Sequence, residues 1–137
     1  MTIKKDPKLR AVQDILDNIH LIRLRAERNR AKLIELQAKC SLLSEHNNMD
    51  IAYQQALVEK DFRSLQDQND KIILSSFDIS WPYLSELNRR ILLTFHQEDR
   101  ARKDAVPLLC KELKCSQSTI WRKYRLALTN FANLMNL

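Results

Sequence analysis

The sequence predicts an all-α protein in which a long, coiled-coil-like helical hairpin at the N-terminus precedes a three-helix helix-turn-helix module. Three observations predict this class. None of the 137 residues is glycine, a heptad pattern runs through residues 9–44, and residues 84–137 contain three amphipathic segments. An average composition would supply about ten glycines, and tight β-hairpin turns depend on them. We therefore expect the hairpin in residues 1–80 and the helix-turn-helix in residues 81–137.

The missing glycine also excludes classes of function. Phosphate-binding loops need backbone that approaches a ligand without a side chain, so neither a P-loop nor a dinucleotide-binding fold is expected. Cys40, Cys110 and Cys115 form no Cys-x-x-Cys pair, and the histidines lie far apart. We interpret the thiols as structural and predict no metal and no cofactor. No nucleophile, base and orienting group stand at a catalytic spacing, so no enzyme and no catalytic residue is predicted.

The sequence also predicts where in the cell the protein is located. No segment approaches the roughly 18 consecutive apolar residues of a membrane helix, and residues 1–7 lack the apolar core of a secretory signal. We therefore expect a cytoplasmic protein with no membrane partner.

The first helix is predicted from apolar residues that alternate three and four apart, the a/d pattern of a coiled coil. One position of this seam is polar, Asn29, and a single asparagine of this kind often sets register or oligomeric state at some cost in stability. We therefore expect Asn29→Leu to raise thermal stability. The residues predicted to carry oligomerisation are Ile15, Ile19, Ile22, Asn29, Leu33 and Leu36.

A second helix is predicted from about residue 51 to residue 75, after a polar break at residues 45–50. Its stripe consists of Ile51, Val58, Leu65 and Ile72, with Phe62 and Tyr53 beside it. Residues 41–80 hold three Lys/Arg against seven Asp/Glu, whereas residues 1–40 hold ten against five. These opposite charges favour an antiparallel hairpin that buries both stripes, with dimerisation through its flank as an addition. A parallel homodimeric coiled coil of the first helix is the alternative, and a homo-oligomer, preferably a dimer, is expected.

Residues 77–83 mark the predicted boundary between the two halves. Pro82 disfavours helical backbone at Trp81, which is expected in an extended or turn conformation. Phe77, Trp81 and Tyr83 are interpreted as packing at this joint rather than as stacking on bases.

Residues 84–137 predict three helices. The first runs from Ser85 to about His96, and a polar loop follows at residues 97–103. The second begins at Asp104 or Val106, because Pro107 fits only a first turn, and ends at Leu113. A tight turn at residues 114–116 precedes a last helix that Ser116 caps and that runs toward Met135. The residues expected to face inward are Leu84, Leu87, Ile91, Leu92, Phe95, Ile120, Tyr124, Ala127, Phe131 and Leu134.

A short helix, a tight turn and a longer helix with a basic outer face are typical of a helix-turn-helix, whose second helix enters the DNA major groove. Beyond Glu112 the sequence contains no acidic residue, which suits a polyanion. An ordinary helical corner with a solvated basic face is the alternative.

Candidate DNA-binding residues lie in and around the predicted last helix. Base contacts are predicted for Gln117, Ser118, Trp121, Arg122 and Arg125. Phosphate contacts are predicted for Ser116, Thr119, Arg100, Arg102, Lys103, Lys114 and Lys123. Trp121 is equally compatible with packing against a neighbouring element. Four basic phosphate contacts predict a log–log salt slope of about −3.6.

Two segments resemble region 4 of bacterial sigma factors. Residues 84–93, LSELNRRILL, are similar to its opening helix, and residues 116–128, SQSTIWRKYRLAL, are similar to its recognition helix. Lys114 stands where that family usually has a turn glycine, and the 97–103 loop is longer than the family pattern. The N-terminal 80 residues do not resemble the core-binding region 2 of sigma factors.

A long helical part followed by a module of this kind is similar to the ArpU and RinA families of phage late-gene regulators. The resemblance implies a sequence-specific activator that binds double-stranded promoter DNA in the cytoplasm of a bacterial host, with host RNA polymerase as a further partner. Two alternatives are a DNA-binding packaging component similar to a small terminase subunit and a helical interaction module that does not bind DNA.

Overall fold

The computed structural model describes residues 6–45, 51–97 and 99–137. Their secondary structure is helical, which confirms the predicted all-α class. Residues 46–50 of the predicted polar break and Glu98 of the predicted loop lie outside the described residues. No helix in the described segments is both long and apolar enough to cross a membrane.

Five α-helices follow one another in the described residues. Their bounds are α1 Pro7–Glu45, α2 Ile51–Ser80, α3 Glu86–Phe95, α4 Arg102–Leu113 and α5 Gln117–Leu134, with a short 3-10 turn at Trp81–Tyr83 after α2. Ser85 and Ser116 cap α3 and α5 by accepting hydrogen bonds from Asn88 N and Thr119 N, and the cap predicted at Ser116 is thereby confirmed.

The chain divides into two compact units. The first, here called the C-terminal unit, comprises Met1–Ile19 and Ser75–Leu137, and the second, here called the hairpin unit, comprises His20–Leu74. This division differs from the boundary predicted at residue 80. The reason is that α1 contributes its first turns to the core of the C-terminal unit, and a heptad pattern does not specify which partner covers it.

The core of the C-terminal unit is built from one face of α1 and from α3, α4 and α5. Leu9, Val12 and Leu16 supply the α1 side and are buried, whereas Ile15 and Ile19 are half-buried. The remaining core consists of Leu84, Ile91, Leu92, Phe95, Ala105, Val106, Leu109, Ile120, Tyr124, Ala127, Leu128, Phe131, Ala132 and Met135.

Most of the inward positions predicted for α3 and α5 are therefore confirmed, with two exceptions. Leu87 and Leu134 are exposed. Leu87 lies in the first turn of α3, one turn before the buried Ile91. At the end of α5, Met135 takes the inward place four residues after Phe131, which leaves Leu134 toward solvent.

Aromatic side chains pack where α2 ends. The rings of Phe77 and Trp81 stack at 5.3 Å, and both meet the ring of Phe131 edge-on. Packing is thus confirmed for these two residues, whereas Tyr83 is exposed. Helix α2 continues to Ser80, five residues beyond its predicted end, where the Ser80 hydroxyl donates to Leu134 O at 3.1 Å.

The predicted start of α4 is wrong. The helix begins at Arg102, so Pro107 lies in its second turn rather than its first. Proline there removes one intrahelical hydrogen bond to the carbonyl four residues earlier. Pro107 and Lys103, the residue whose carbonyl loses this bond, are both exposed, and an exposed carbonyl can bond to water instead.

The hairpin unit is an antiparallel pair formed by α1 and α2. Arg25 donates from Nε to Asp70 Oδ2 at 2.8 Å, Asn29 Nδ2 donates to Gln66 Oε1 at 2.9 Å, and Arg63 Nη1 donates to Asn29 Oδ1 at 3.0 Å. Residues later in α1 thus bond to residues earlier in α2. This is the antiparallel order that the charges favoured.

The predicted orientation of α2 is wrong. Its apolar stripe, formed by Ile51, Val58, Phe62, Leu65 and Ile72, is exposed. The side of α2 that carries Ala56 and the polar residues Arg63, Gln66 and Asp70 faces α1 instead, because these polar groups find hydrogen-bonding partners there.

The α1 residues predicted to carry oligomerisation are largely occupied within one chain. Ile22, Asn29 and Leu36 are buried, and Leu33 is half-buried. These side chains therefore offer a second chain little exposed surface.

Candidate nucleic-acid interface

Helices α4 and α5 are joined by a tight turn at residues 114–116. Lys114 caps α4 in the left-handed conformation, with φ 55° and ψ 46°. The Cys115 N–H returns to Cys110 O at 3.2 Å, and Ser116 is extended with φ −74° and ψ 162°. The predicted short helix, three-residue turn and longer helix are present.

Lys114 occupies the position that usually favours glycine. An L-residue in this conformation costs roughly 1–2 kcal/mol, since its Cβ approaches the carbonyl oxygen. The lysine nevertheless places an exposed cation in the turn directly before α5. The positive φ of Lys114 is the conformation that the turn glycine of the sigma-factor pattern would adopt without this cost.

Helix α5 has one buried and one exposed side. Ile120, Tyr124 and Phe131 are fully buried. On the other side, Ser118 and Arg122 are exposed one turn apart, and Arg125 is half-buried beside them. Gln117 is exposed in the first turn. The structure therefore brings four of the five predicted base-contacting residues to the exposed part of α5.

Trp121 differs from the other candidates. Its ring lies 5.3 Å from that of Phe95 and 6.1 Å from that of Tyr124, and the side chain is half-buried against the core. Of the two interpretations left open by the sequence, packing against a neighbouring element is the one observed.

Leu126 belongs to this exposed side and was missed by the sequence reasoning. It is 58% exposed and lies one turn after Arg122. The signal that could have found it is its spacing, since i and i+4 side chains share a helix face. An exposed leucine beside an arginine that is predicted to contact bases suits contact with a thymine methyl group.

The hydroxyl groups of Ser116 and Thr119 lie close together at the N-terminus of α5. Ser116 Oγ accepts from Thr119 N at 3.3 Å and lies 2.9 Å from Thr119 Oγ1. Arg122 Nη2 donates to that same threonine oxygen at 3.3 Å. The first turn of α5 thus holds the Arg122 side chain near the helix N-terminus, where backbone N–H groups favour an anion.

The predicted phosphate contacts fall into two groups. Lys103 and Lys114 are exposed, and Arg100 and Lys123 are half-buried. Arg102 is instead bonded to the carboxylate of Asp17. The last acidic residue before α5, Glu112, is paired with Arg90, so its charge is compensated within the unit.

A polar chain supports α5 from its buried side. Gln13 Nε2 donates to the Tyr124 oxygen at 3.0 Å, so the Tyr124 hydroxyl is left to donate to His96 Nε2 at 2.8 Å. His96 Nδ1 then donates to Asp17 Oδ1 at 2.7 Å. This order requires a neutral imidazole protonated on Nδ1.

Burial is the largest cause of the pKa shifts of His96 and Tyr124 in this series of hydrogen bonds. It lowers the pKa of His96 because desolvation outweighs the hydrogen bond and charge of Asp17. Burial also raises the pKa of Tyr124 to about 12, against the opposing hydrogen bond from Gln13. Both side chains are consequently neutral at pH 7, and the chain ties α1, α3 and α5 together by hydrogen bonds.

Comparison of this chain with known proteins found no relative. No protein-family model, no curated protein and no solved structure matches this chain.

Proposed function

We propose that this protein is a sequence-specific DNA-binding transcription regulator in which α5 enters the major groove. The observation that carries the proposal is the exposed side of α5, where Ser118, Arg122 and Leu126 stand one turn apart behind a tight turn and a capped N-terminus. Since residues 113–137 include no acidic residue, this side can approach phosphates without like-charge repulsion.

Each exposed side chain has a contact that suits its chemistry. Arg122 presents a guanidinium that can bond guanine O6 and N7 together, and Gln117 can bond adenine N6 and N7. Helix α4 packs against α5, and in a helix-turn-helix pair the first helix braces the second. Sequence reading is therefore assigned to Arg122 and Gln117 first, with Leu126 as an apolar contact.

Phosphate binding is assigned to the cations around this reading side. Arg100, Lys103, Lys114 and Lys123 remain candidates, whereas Arg102 is engaged by Asp17. Four phosphate contacts correspond to a log–log salt slope of about −3.6.

The regulatory class of the proposal is a phage or prophage late-gene activator. Its support is the resemblance of residues 84–93 and 116–128 to sigma-factor region 4, together with the order of helical part and module. Promoter DNA is then the partner, and host RNA polymerase is the second partner that an activator requires.

The test selects duplexes from a pool of random 20-base-pair cores with the full chain and measures binding of the enriched duplex by fluorescence anisotropy. Arg122→Ala is expected to weaken this binding by about 5- to 150-fold, the equivalent of one bidentate base contact. Arg10→Ala is the matched control, since Arg10 is an exposed arginine on α1 outside α4 and α5.

Two outcomes contradict the proposal. No enrichment of any duplex would favour an interaction module that does not bind DNA. Equal loss of affinity in Arg122→Ala and Arg10→Ala would mean that net charge, and not the α5 surface, accounts for binding.

A further inference from the structure

The exposed stripe of α2 is an apolar feature that the fold leaves uncovered in the hairpin unit. Its five side chains, Ile51, Val58, Phe62, Leu65 and Ile72, are between 63% and 71% exposed. The end of the stripe at Ile51, Val58 and Phe62 lines an open groove of about 550 Å³. We propose that this stripe, here called the α2 stripe, binds the α2 stripe of a second copy of the chain in an antiparallel dimer. The proposal goes beyond DNA binding and does not depend on it.

The spacing of the α2 stripe fits a helical partner. Four of its members recur every seven residues, which is the repeat that follows a left-handed supercoil, since a straight helix drifts about 20° per heptad. The stripe spans about 32 Å of helix, from Ile51 to Ile72 at about 1.5 Å per residue. A second long helix is the element that can follow such a line.

The order of residues makes the α2 stripe complementary to itself when reversed. Around its midpoint near Phe62, Ile51 is placed opposite Ile72 of a second copy, and Val58 opposite Leu65. A two-fold contact requires this reciprocity, in which residue i meets j and j meets i. β-branched isoleucines lie at both ends, and the two-fold axis passes between residues 61 and 62, so that the Phe62 rings of both copies lie beside it, each opposite Asp61 of the other copy.

The residues that flank the α2 stripe pair in the same antiparallel register. Gln54 falls opposite Asn69 of the second copy, and Gln55 falls opposite Gln68, and all four are exposed amides. Two copies therefore meet without like-charge repulsion along most of the stripe. Asp61 is the exception beside the midpoint, whereas the nearby Glu59 is bonded to Arg63 at 3.1 Å.

The apolar area of the stripe approaches that of a stable dimer interface. Five large side chains at about two-thirds exposure present on the order of 500 Å² of apolar surface, the upper end of what a typical monomer exposes. Two copies together cover about 1,000 Å² of side chain, and the flanking amides bring the total near the roughly 1,200 Å² at which stable interfaces begin.

The test is sedimentation velocity of the full chain without DNA, from about 1 to 100 µM. The expected species is a dimer of about 32 kDa, twice the 16.2 kDa of one chain. Val58→Glu and Leu65→Glu are each expected to weaken association at least about 100-fold, with unchanged helical circular dichroism because both positions are exposed. Leu42→Glu, at an exposed leucine of α1, is the matched control and is expected to leave association unchanged.

The orientation has its own test. In the antiparallel pair, residue 58 of one chain meets residue 65 of the other, so a mixture of Val58→Glu and Leu65→Lys is expected to recover a heterodimer. A wild-type chain that stays monomeric at 100 µM overturns the proposal. A dimer that both glutamate variants retain, or a mixture that fails to associate, also overturns it. None of these results affects DNA binding by the C-terminal unit, which the anisotropy measurement tests separately.

Discussion

Burial and the charge of Asp17 act in opposite directions on the pKa of His96 in the C-terminal unit. Asp17 lies 2.7 Å from Nδ1 and favours the imidazolium, whereas desolvation favours the neutral ring and lowers the pKa of His96. The neutral form also satisfies Tyr124 and Gln13 in a single chain of hydrogen bonds. Protonation of His96 therefore works against the contacts that hold α5 in place.

This balance predicts that acid destabilises the folded protein. The imidazole of an unfolded chain takes up a proton below about pH 6.5, whereas folded His96 takes it up only at lower pH. The unfolded state then binds more protons, so stability is highest above pH 6.5 and falls below it, by up to about 1.4 kcal/mol per pH unit.

Thermal unfolding between pH 5 and pH 8 checks this expectation. His96→Gln is expected to flatten the pH dependence, and His20→Gln controls for the loss of an exposed histidine. A wild-type melting temperature that rises on acidification would contradict the assignment of a neutral imidazole.

Lys114 combines a conformational cost with a proposed contact, so one substitution should move two properties in opposite directions. Lys114→Gly removes the Cβ from a left-handed residue and is expected to raise the free energy of unfolding by up to about 1 kcal/mol. The same change removes a phosphate contact, so DNA affinity should fall and the salt slope should become shallower by about 0.9.

Urea denaturation and anisotropy titrations at several salt concentrations measure the two effects. Lys114→Arg is the control that keeps both the charge and the left-handed cost. A glycine variant with wild-type affinity and wild-type salt slope would remove Lys114 from the DNA contacts.

At the scale of elements, α1 and α2 meet through a polar layer rather than through two apolar stripes. Asn29 is 2% exposed and is bonded to both Gln66 and Arg63. The expectation that Asn29→Leu raises stability assumed apolar neighbours on the seam. With these partners, leucine leaves the Gln66 oxygen and one Arg63 N–H without their protein partner.

We now expect Asn29→Leu to lower the free energy of unfolding by about 1–3 kcal/mol, the usual cost of an unsatisfied buried polar group. Asn18→Leu is the matched control on the same helix, since Asn18 is exposed and its side-chain amide donates to Asp14 O of its own helix. Urea denaturation measures the free energy of unfolding of both variants. An Asn29→Leu protein more stable than wild type would mean that the polar layer contributes nothing to stability.

The elements also show what periodicity can and cannot predict. Buried positions such as Ile91 and Tyr124 were predictable because α3 and α5 each pack one stripe on one core. The α2 stripe has an equally regular period, but a period states which residues share a face and not what covers that face. Arg63, Gln66 and Asp70 decided the orientation of α2, and their hydrogen bonds connect residues 34 to 45 positions apart in sequence.

At the scale of the whole molecule, one continuous helix contributes to both units. Leu9 and Val12 of α1 pack into the C-terminal unit, and Ala26 and Leu36 are buried in the hairpin unit. Because a single heptad pattern runs through all four residues, the sequence predicted one domain that contains all of them. The candidate DNA surface was easier to predict, since Ser116 to Arg125 are contiguous and their faces follow from one helical period.

The central claim is that Arg122 on α5 reads a base rather than only neutralising a phosphate. Arg122→Lys keeps the charge but loses the planar fork that bonds guanine at two positions. The decisive measurement is the ratio of affinities for the selected duplex and for a scrambled duplex of equal length, in wild type and in Arg122→Lys. We predict that the ratio falls at least about fivefold while affinity for the scrambled duplex is unchanged. An unchanged ratio would contradict base reading by α5.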